Sequence, residues 1–345
     1  MISKLQDQKN ILKTSAEKKI YLTNYISSLS SKKILITGAS GHLGSYVVKM
    51  LVENGIRPLI LLSQSSKNKE VSPINTMIEE HNLSSIAVDL GKELSAEEEK
   101  IQIKLQEIDL VLHLAAYVPK KADEDNFKKC MDVNVNGTIN LLKILKPNTK
   151  IVLVSSCEVY GSPITKVISE EHPLNPLSYY GASKVAAEKM SIIYCKKNQL
   201  PLTIARMTTI YGPGERIQRA IPNFIHNAID GHNIIIYGDG SDIRDFIYIE
   251  DAAIYLIALL VEGREKTYNI CSGKSTTIKE IASMIQSISD SSSKIVYEQR
   301  KKEKIDYIFD DSRIKEDISY KPQTKLEEGL SQQIKSHHQN KPLQQ

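Results

Sequence analysis

The sequence is short of three things: net charge, cysteine and long apolar runs. Lys and Arg number 45 against 41 Asp and Glu, which leaves +4 over 345 residues. So small an excess gives no reason to expect nucleic acid as a partner, although a pI of about 8.6 is compatible with weak RNA binding. The four cysteines, Cys130, Cys157, Cys195 and Cys271, are scattered with no C-x-x-C pair. That spacing argues against a disulfide framework and against a zinc site, so no metal is expected, and it suits a reducing cytoplasm. No apolar run approaches the roughly 18–20 residues of a membrane-spanning helix, so no membrane partner is expected. The first residues also lack the apolar core of a signal peptide.

What is present is length enough for one large or two modest domains. Residues 1–31 are rich in Lys, Ser and Gln, with scattered Ile11, Leu12, Ile20 and Leu22. They read as an extension, either one helix packed on the surface or a partly ordered tail. From residue 32 onward short buried-strand patterns alternate with helical ones. "KILIT", "PLILL", "SIAVD", "LVLHLAA", "KIVLVSS" and "LTIARM" are the strand candidates. "GHLGSYVVKMLVENG" has apolar residues at helical spacing and stops on Asn-Gly. Such alternation predicts an α/β fold with a doubly wound parallel sheet. The expected divisions are a dinucleotide-type domain over 32–207 and a smaller substrate lobe over 208–335. Part of about 235–270 is expected to return to the large sheet, and 336–345 to be a frayed tail.

After "KILIT" the chain reads "GASGHLGSYV", with Gly38, Gly41 and Gly44 three apart. A strand, a glycine turn and a helix start form an anion site. The unpaired N–H groups and the positive dipole end converge, and bare backbone lets a pyrophosphate come close. Ser40, His42 and Leu43 lie in the same turn. An ordinary strand-to-helix turn would also use such glycines. The second strand runs into "SQSSKNK" and carries no acid to hold ribose hydroxyls. Ser63 and Gln64 stand there instead, and Lys67 or Lys69 could attract a 2′-phosphate, so NAD and NADP both stay open. Asp89, with Leu90 beside it, could accept from an adenine amino group.

A second constellation is "YYGASK". Tyr180 and Lys184 are four apart at a helix start and share a face. A phenol with a pKa of about 10 is a poor base near neutrality. Bringing it to about 7 takes roughly 4 kcal/mol, which a neighbouring ammonium and a cationic ring would help to supply. The phenolate could then take a proton from a sugar or alcohol hydroxyl. Before it, "KIVLVSSCEVYGSP" ends a buried strand on Ser155 and Ser156, at the edge where an open sheet exposes its ligand crevice.

With these residues in view the chain resembles the extended short-chain dehydrogenase/reductase family, in its nucleotide-sugar epimerase and dehydratase branch. The resemblance spans about residues 32–330. It rests on the glycine turn, "VLHLAA", "NVNGT", "SSCEVYG", "EEHPLNPLSYYGASKVAAEK", "ARMTTIYGPG", "IIIYGDGSDIRDFIYIEDAA" and "YNICSGKSTTIKEIA" in family order. It implies an NAD- or NADP-dependent enzyme, NAD being slightly favoured, that oxidises C4 of a nucleotide-diphospho-sugar to a 4-keto intermediate. Return of the hydride to the other face makes a 4-epimerase, the preferred reading; loss of water first makes a dehydratase, and decarboxylases share the pattern. A regulatory or RNA-binding protein on the same scaffold is a remote alternative. The resemblance gives Tyr180 the role of base and Lys184 that of its partner and ribose anchor. Ser156 becomes the substrate-hydroxyl binder. Leu114, Ala115, Ala116 and Asn134 fall in the cofactor pocket. Tyr117, Thr209 and Asn223 fall among substrate contacts, with Arg244 and Arg300 on the diphosphate. Glu158 either contacts the sugar or acts as a second base, and Cys157 is a weak candidate acid. If the strand continues through Glu158, Ser156 and Glu158 point to one side and Cys157 to the other. A homodimer through helices near 125–145 and 180–197 is also implied.

Overall fold

Four-residue runs of branched apolar side chains with no polar alternation can be stable only as strands covered on both faces. The computed structural model describes residues 2–63, 66, 72–92, 98–119, 126–300 and 303–339. In it β1 (Ile34–Thr37) is buried along its whole length. Ile34 and Ile36 join one core and Leu35 the other, the two-residue period of a strand between two layers.

The large sheet takes β1, β2 (Leu59–Leu62), β3 (Ser85–Ala87), β4 (Leu110–His113), β5 (Lys150–Ser156) and β6 (Leu202–Met207). The chain then leaves it for β7 (Thr209–Tyr211), β8 (Ile234–Tyr237) and β9 (Ile243–Tyr248), and returns with β10 (Thr267–Ile270) beside β6. The order is β10-β6-β5-β4-β1-β2-β3, and every pairing is parallel. The predicted α/β class and parallel sheet are therefore present. Strand order reverses between β1 and β4, which opens a crevice at their carboxyl ends. β11 (Ser275–Thr277) pairs with β9, which pairs with β7, and β12 (Ile295–Glu298) pairs with β8.

Helix Ile249–Val261 is apolar nearly all round and almost wholly buried. It needs no polar face because it lies between the sheet and helix His42–Glu53. Residues Ile2–Leu29 form one helix against it. Lys18 on that helix is buried. Its ammonium meets Glu250 and Asp251 and donates to the Thr324 hydroxyl at 2.6 Å. At the other end, helix Leu326–Gln339 takes in residues 336–339, which the sequence places in a frayed tail. Gly329, Leu330, Gln333 and Ile334 bury one side of that helix, and the packing carries it past residue 335. Among the described residues no helix is long and apolar enough to cross a membrane.

Candidate active site

The carboxyl ends of the central strands open on a cavity of about 440 Å³. One wall is the glycine turn. Gly38 has φ of +72°, and an added Cβ there would strike the backbone of Leu114 and Ala115. A Cβ on Gly44 would collide with the Gly38 carbonyl. Gly41 is different. Its φ is −76°, and an added Cβ would meet only the Gly38 oxygen, at 3.2 Å. Two glycines are thus required by the turn itself, and the third leaves room beside the cavity. Gly41 is also the N-cap of helix His42–Glu53 and offers no side-chain cap, so the first N–H groups of that helix are left for a ligand.

Ser40, His42 and Leu43 line the same wall. The Ser40 and Ser63 hydroxyls both hydrogen-bond that of Ser66, at 3.0 and 2.9 Å, on the rim where a ribose-binding acid is absent. Gln64, Lys67 and Lys69 lie outside the described residues. Asp89 and Leu90 line the far end, and Leu114, Ala115 and Ala116 the floor. Beneath the floor, burial lowers the pKa of His113 to about 3, so the ring is neutral. Its tautomer follows from its neighbours. Thr138 Oγ1 donates to the Asn134 carbonyl at 2.7 Å, so it accepts from His113 Nε2–H. Thr37 Oγ1 then donates to Nδ1 at 2.7 Å while accepting from the Ala115 N–H at 3.1 Å. Asn134 does not line the cavity. Its side chain accepts from Tyr117 N and donates to Tyr117 O and Ser183 Oγ, which ties the floor to the next helix.

Ser178 caps helix Tyr179–Lys197 by accepting from Gly181 N at 2.9 Å. This start puts Tyr180 in the first turn, Lys184 in the second, and both on the cavity beside Ser156. The Ser156 hydroxyl is hydrogen-bonded to the Tyr180 phenol. Burial, and secondly Glu158, push that phenol above its ordinary value; Arg219 and the Ser156 bond work the other way. Lys184 is 4 % exposed and its ammonium hydrogen-bonds to no other described residue. Burial lowers its pKa to about 8. Ser155 Oγ is also buried on the cavity and has no hydrogen-bond partner among the described residues. A glycine cradle, an orphan hydroxyl and an unpaired ammonium fit a nicotinamide dinucleotide.

Several expected contacts are placed otherwise. β5 ends at Ser156, whose hydroxyl accepts from Glu158 N and turns the chain into a 3₁₀ helix over Cys157–Val159. The strand alternation expected through Glu158 therefore stops. Glu158 accepts from the Ser178 hydroxyl at 3.0 Å and does not line the cavity. Cys157 is buried with Val159, Tyr160 and Phe309, and burial pushes its thiol up to about 12. Arg300 is held by Asp239 at 2.9 Å and Asp242 at 2.7 Å. Arg244 donates to the carbonyls of Ile243 and Ile305 and lies over the Tyr307 ring. Asn223 is exposed on helix Ala220–Ile229. Thr209 and Tyr117 lie off the cavity, although Thr208, Ile210, Ala116 and Val118 line it.

A model of the NAD dependent epimerase/dehydratase family matches residues 34–271. The chain belongs to this family. A putative UDP-glucose 4-epimerase of Methanocaldococcus jannaschii is 32% identical over 308 residues, covering 87% of this chain and 97% of that one. UDP-glucuronic acid decarboxylase 1 of Xenopus tropicalis is 27% identical, covering 97% and 79%. The crystal structure of dTDP-glucose 4,6-dehydratase from Bacillus anthracis in complex with NAD superposes with a TM-score of 0.76 at 26% identity, covering 90% and 97%. Like its relatives, this epimerase/dehydratase family member is an enzyme. Its cavity includes two charged residues that the sequence analysis missed, Glu215 and Arg219. They follow "YGPG" with no motif of their own, and only the fold brings them opposite Tyr180.

Proposed function

We propose that the protein is a nucleotide-diphospho-sugar 4-epimerase. The observation that carries this reading is the group Ser156, Tyr180 and Lys184 beside a glycine cradle on one cavity. A bound nicotinamide dinucleotide supplies hydride acceptance and return. The glycine turn, Ser155 and the Lys184 ammonium would hold it. Ser156 holds the C4 hydroxyl oxygen. Tyr180 takes the hydroxyl proton and later gives it back. Lys184 lowers the cost of the phenolate. NAD is favoured over NADP because the family is NAD dependent.

Epimerisation is preferred over dehydration or decarboxylation because Glu158 is turned toward Ser178 and off the cavity. Turnover in D₂O with UDP- and dTDP-sugars tests this. An epimer of unchanged mass with no deuterium at C5 supports it. Deuterium at C5 that disappears in Glu158→Gln would replace it with a C5-deprotonating reaction. A homodimer is part of the proposal. Phe127, Tyr179, Met190, Ile192 and Ile193 are exposed on the two helical segments expected to pair, and light scattering would give the mass. The working compartment proposed is the cytoplasm, where the four buried cysteines stay reduced.

A further inference from the structure

The loop that follows β7, from Gly212 to Arg219, brings Glu215, Ile217 and Arg219 to the cavity. Among the described residues two side-chain hydrogen bonds pin it from outside. On one side Gln333 of helix Leu326–Gln339 donates to Glu215 at 3.2 Å. On the other, His42 Nε2 meets the Pro213 carbonyl at 2.8 Å. A carbonyl oxygen can only accept, so Nε2 carries a proton whatever the charge of the ring. His42 is the first residue of helix His42–Glu53 and stands inside the glycine turn, between Gly41 and Gly44. Its side chain is half-buried and seated on the loop, for a Cβ added to Gly214 would lie 3.8 Å from His42 Cδ2. One residue of the glycine turn thus reaches 171 positions along the chain to a loop that carries charged side chains into the same cavity.

We infer that His42 is a positioning residue, which ties the Gly212–Arg219 loop to the glycine turn and so holds it in the conformation that receives the nucleotide sugar. The substrate half of this rests on the nucleotide-sugar reading above. The residue divides its two ends between two tasks. What the turn offers a pyrophosphate is backbone N–H, and His42 keeps its own whatever side chain it bears. The imidazole is engaged by Pro213 instead. The loop has little else to hold it. Its backbone closes on itself through Glu215 N to the Gly212 carbonyl, at 3.4 Å, and Arg219 N to the Ile217 carbonyl, at 2.9 Å. Gly214, Arg216 and Gln218 are exposed. Loss of the His42 donor should therefore loosen the loop, and with it Glu215 and Arg219. Ser156, Tyr180 and Lys184 stay in place, because β5 and helix Tyr179–Lys197 carry them. A ligand that touches the loop must then order it on binding, and that cost appears as weaker affinity.

The test compares two variants of the full-length, dinucleotide-loaded protein. His42→Phe keeps a planar ring and removes the donor, whereas His42→Gln restores an N–H at the same reach. Hydrogen–deuterium exchange read by mass spectrometry should show peptides over 212–219 exchanging about 3- to 10-fold faster in His42→Phe, and near the wild-type rate in His42→Gln. Peptides from helix Tyr179–Lys197 should exchange as in the wild type in both, which reports an intact fold. In calorimetric titration with UDP-glucose and dTDP-glucose, whichever the wild type binds should bind His42→Phe about 3- to 10-fold more weakly and His42→Gln within about 2-fold of wild type. Unchanged loop exchange in His42→Phe would overturn the inference, as would faster exchange with unchanged affinity. Loss of dinucleotide from His42→Phe would also overturn it, since the ring would then belong to the cradle, and so would a His42→Gln protein no different from His42→Phe. A wild type that binds neither nucleotide sugar would refute the nucleotide-sugar reading and the substrate half of this inference with it, while the exchange comparison by itself decides the anchor.

Discussion

Lys184 should destabilise the protein that depends on it. Its ammonium is buried without a hydrogen-bond partner among the described residues, and burial lowers its pKa from 10.5 to about 8. In the unfolded chain the amine keeps its ordinary value of about 10.4. Between these two values the unfolded state binds more protons, so stability rises with pH across that window. Below about 8 both states hold the proton, and the full cost of burying the charge is present. A lowering from 10.5 to about 8 corresponds to about 3 kcal/mol. Lys184→Met keeps the length of the side chain and removes the charge. At pH 7 the dinucleotide-free variant should therefore be more stable than the dinucleotide-free wild type by about 3 kcal/mol. The difference should shrink as pH rises through 8 and vanish near 10.5. Urea unfolding followed by circular dichroism at several pH values from 7 to 10 measures it. Dinucleotide must be removed, because a ligand that binds only the folded state adds its own stabilisation. The same variant should lose turnover and dinucleotide retention. A variant less stable than wild type at pH 7, or a difference that ignores pH, would refute the reasoning, since either means the ammonium is already compensated inside the fold.

Three further outcomes are expected. Tyr180→Phe keeps the ring and its burial but loses the ionisable oxygen; single-substrate assays should show turnover falling by about 10²-fold or more with dinucleotide occupancy intact. Gly41→Val adds atoms where the turn is open to the cavity, so the variant should fold yet purify without dinucleotide. Gly44→Val should instead yield little folded protein, because its Cβ meets the Gly38 carbonyl; absorbance of the purified proteins and their melting curves separate the two. Lys18→Met should cost about 3–5 kcal/mol in urea unfolding, because it strips the buried Asp251 of its counter-ion.

The two lysine substitutions have opposite signs, and the contrast marks what a sequence can carry. Strand alternation, the glycine turn and the four-residue spacing of Tyr180 and Lys184 are local patterns. Local geometry sets them, and the large sheet and the cavity wall follow from them. Whether a charged side chain is free for a ligand is not local. Arg300 matches a diphosphate-binding position by motif, yet Asp239 and Asp242, about sixty residues earlier, take its fork. Lys18 sits in an extension that reads as either a surface helix or a partly ordered tail, yet Glu250 and Asp251 draw it into the interior. Lys184 and Arg219 are the converse, cations in or beside the cavity that the fold leaves without a hydrogen-bonded partner. Glu158 fails for a related reason. Its direction depended on β5 continuing, and one hydroxyl, that of Ser156, ends the strand by capping the next turn. A buried charge with a fixed partner belongs to the stability of the fold. A buried charge without one is a cost that persists because a ligand relieves it, and the signs of Lys18→Met and Lys184→Met read that difference directly.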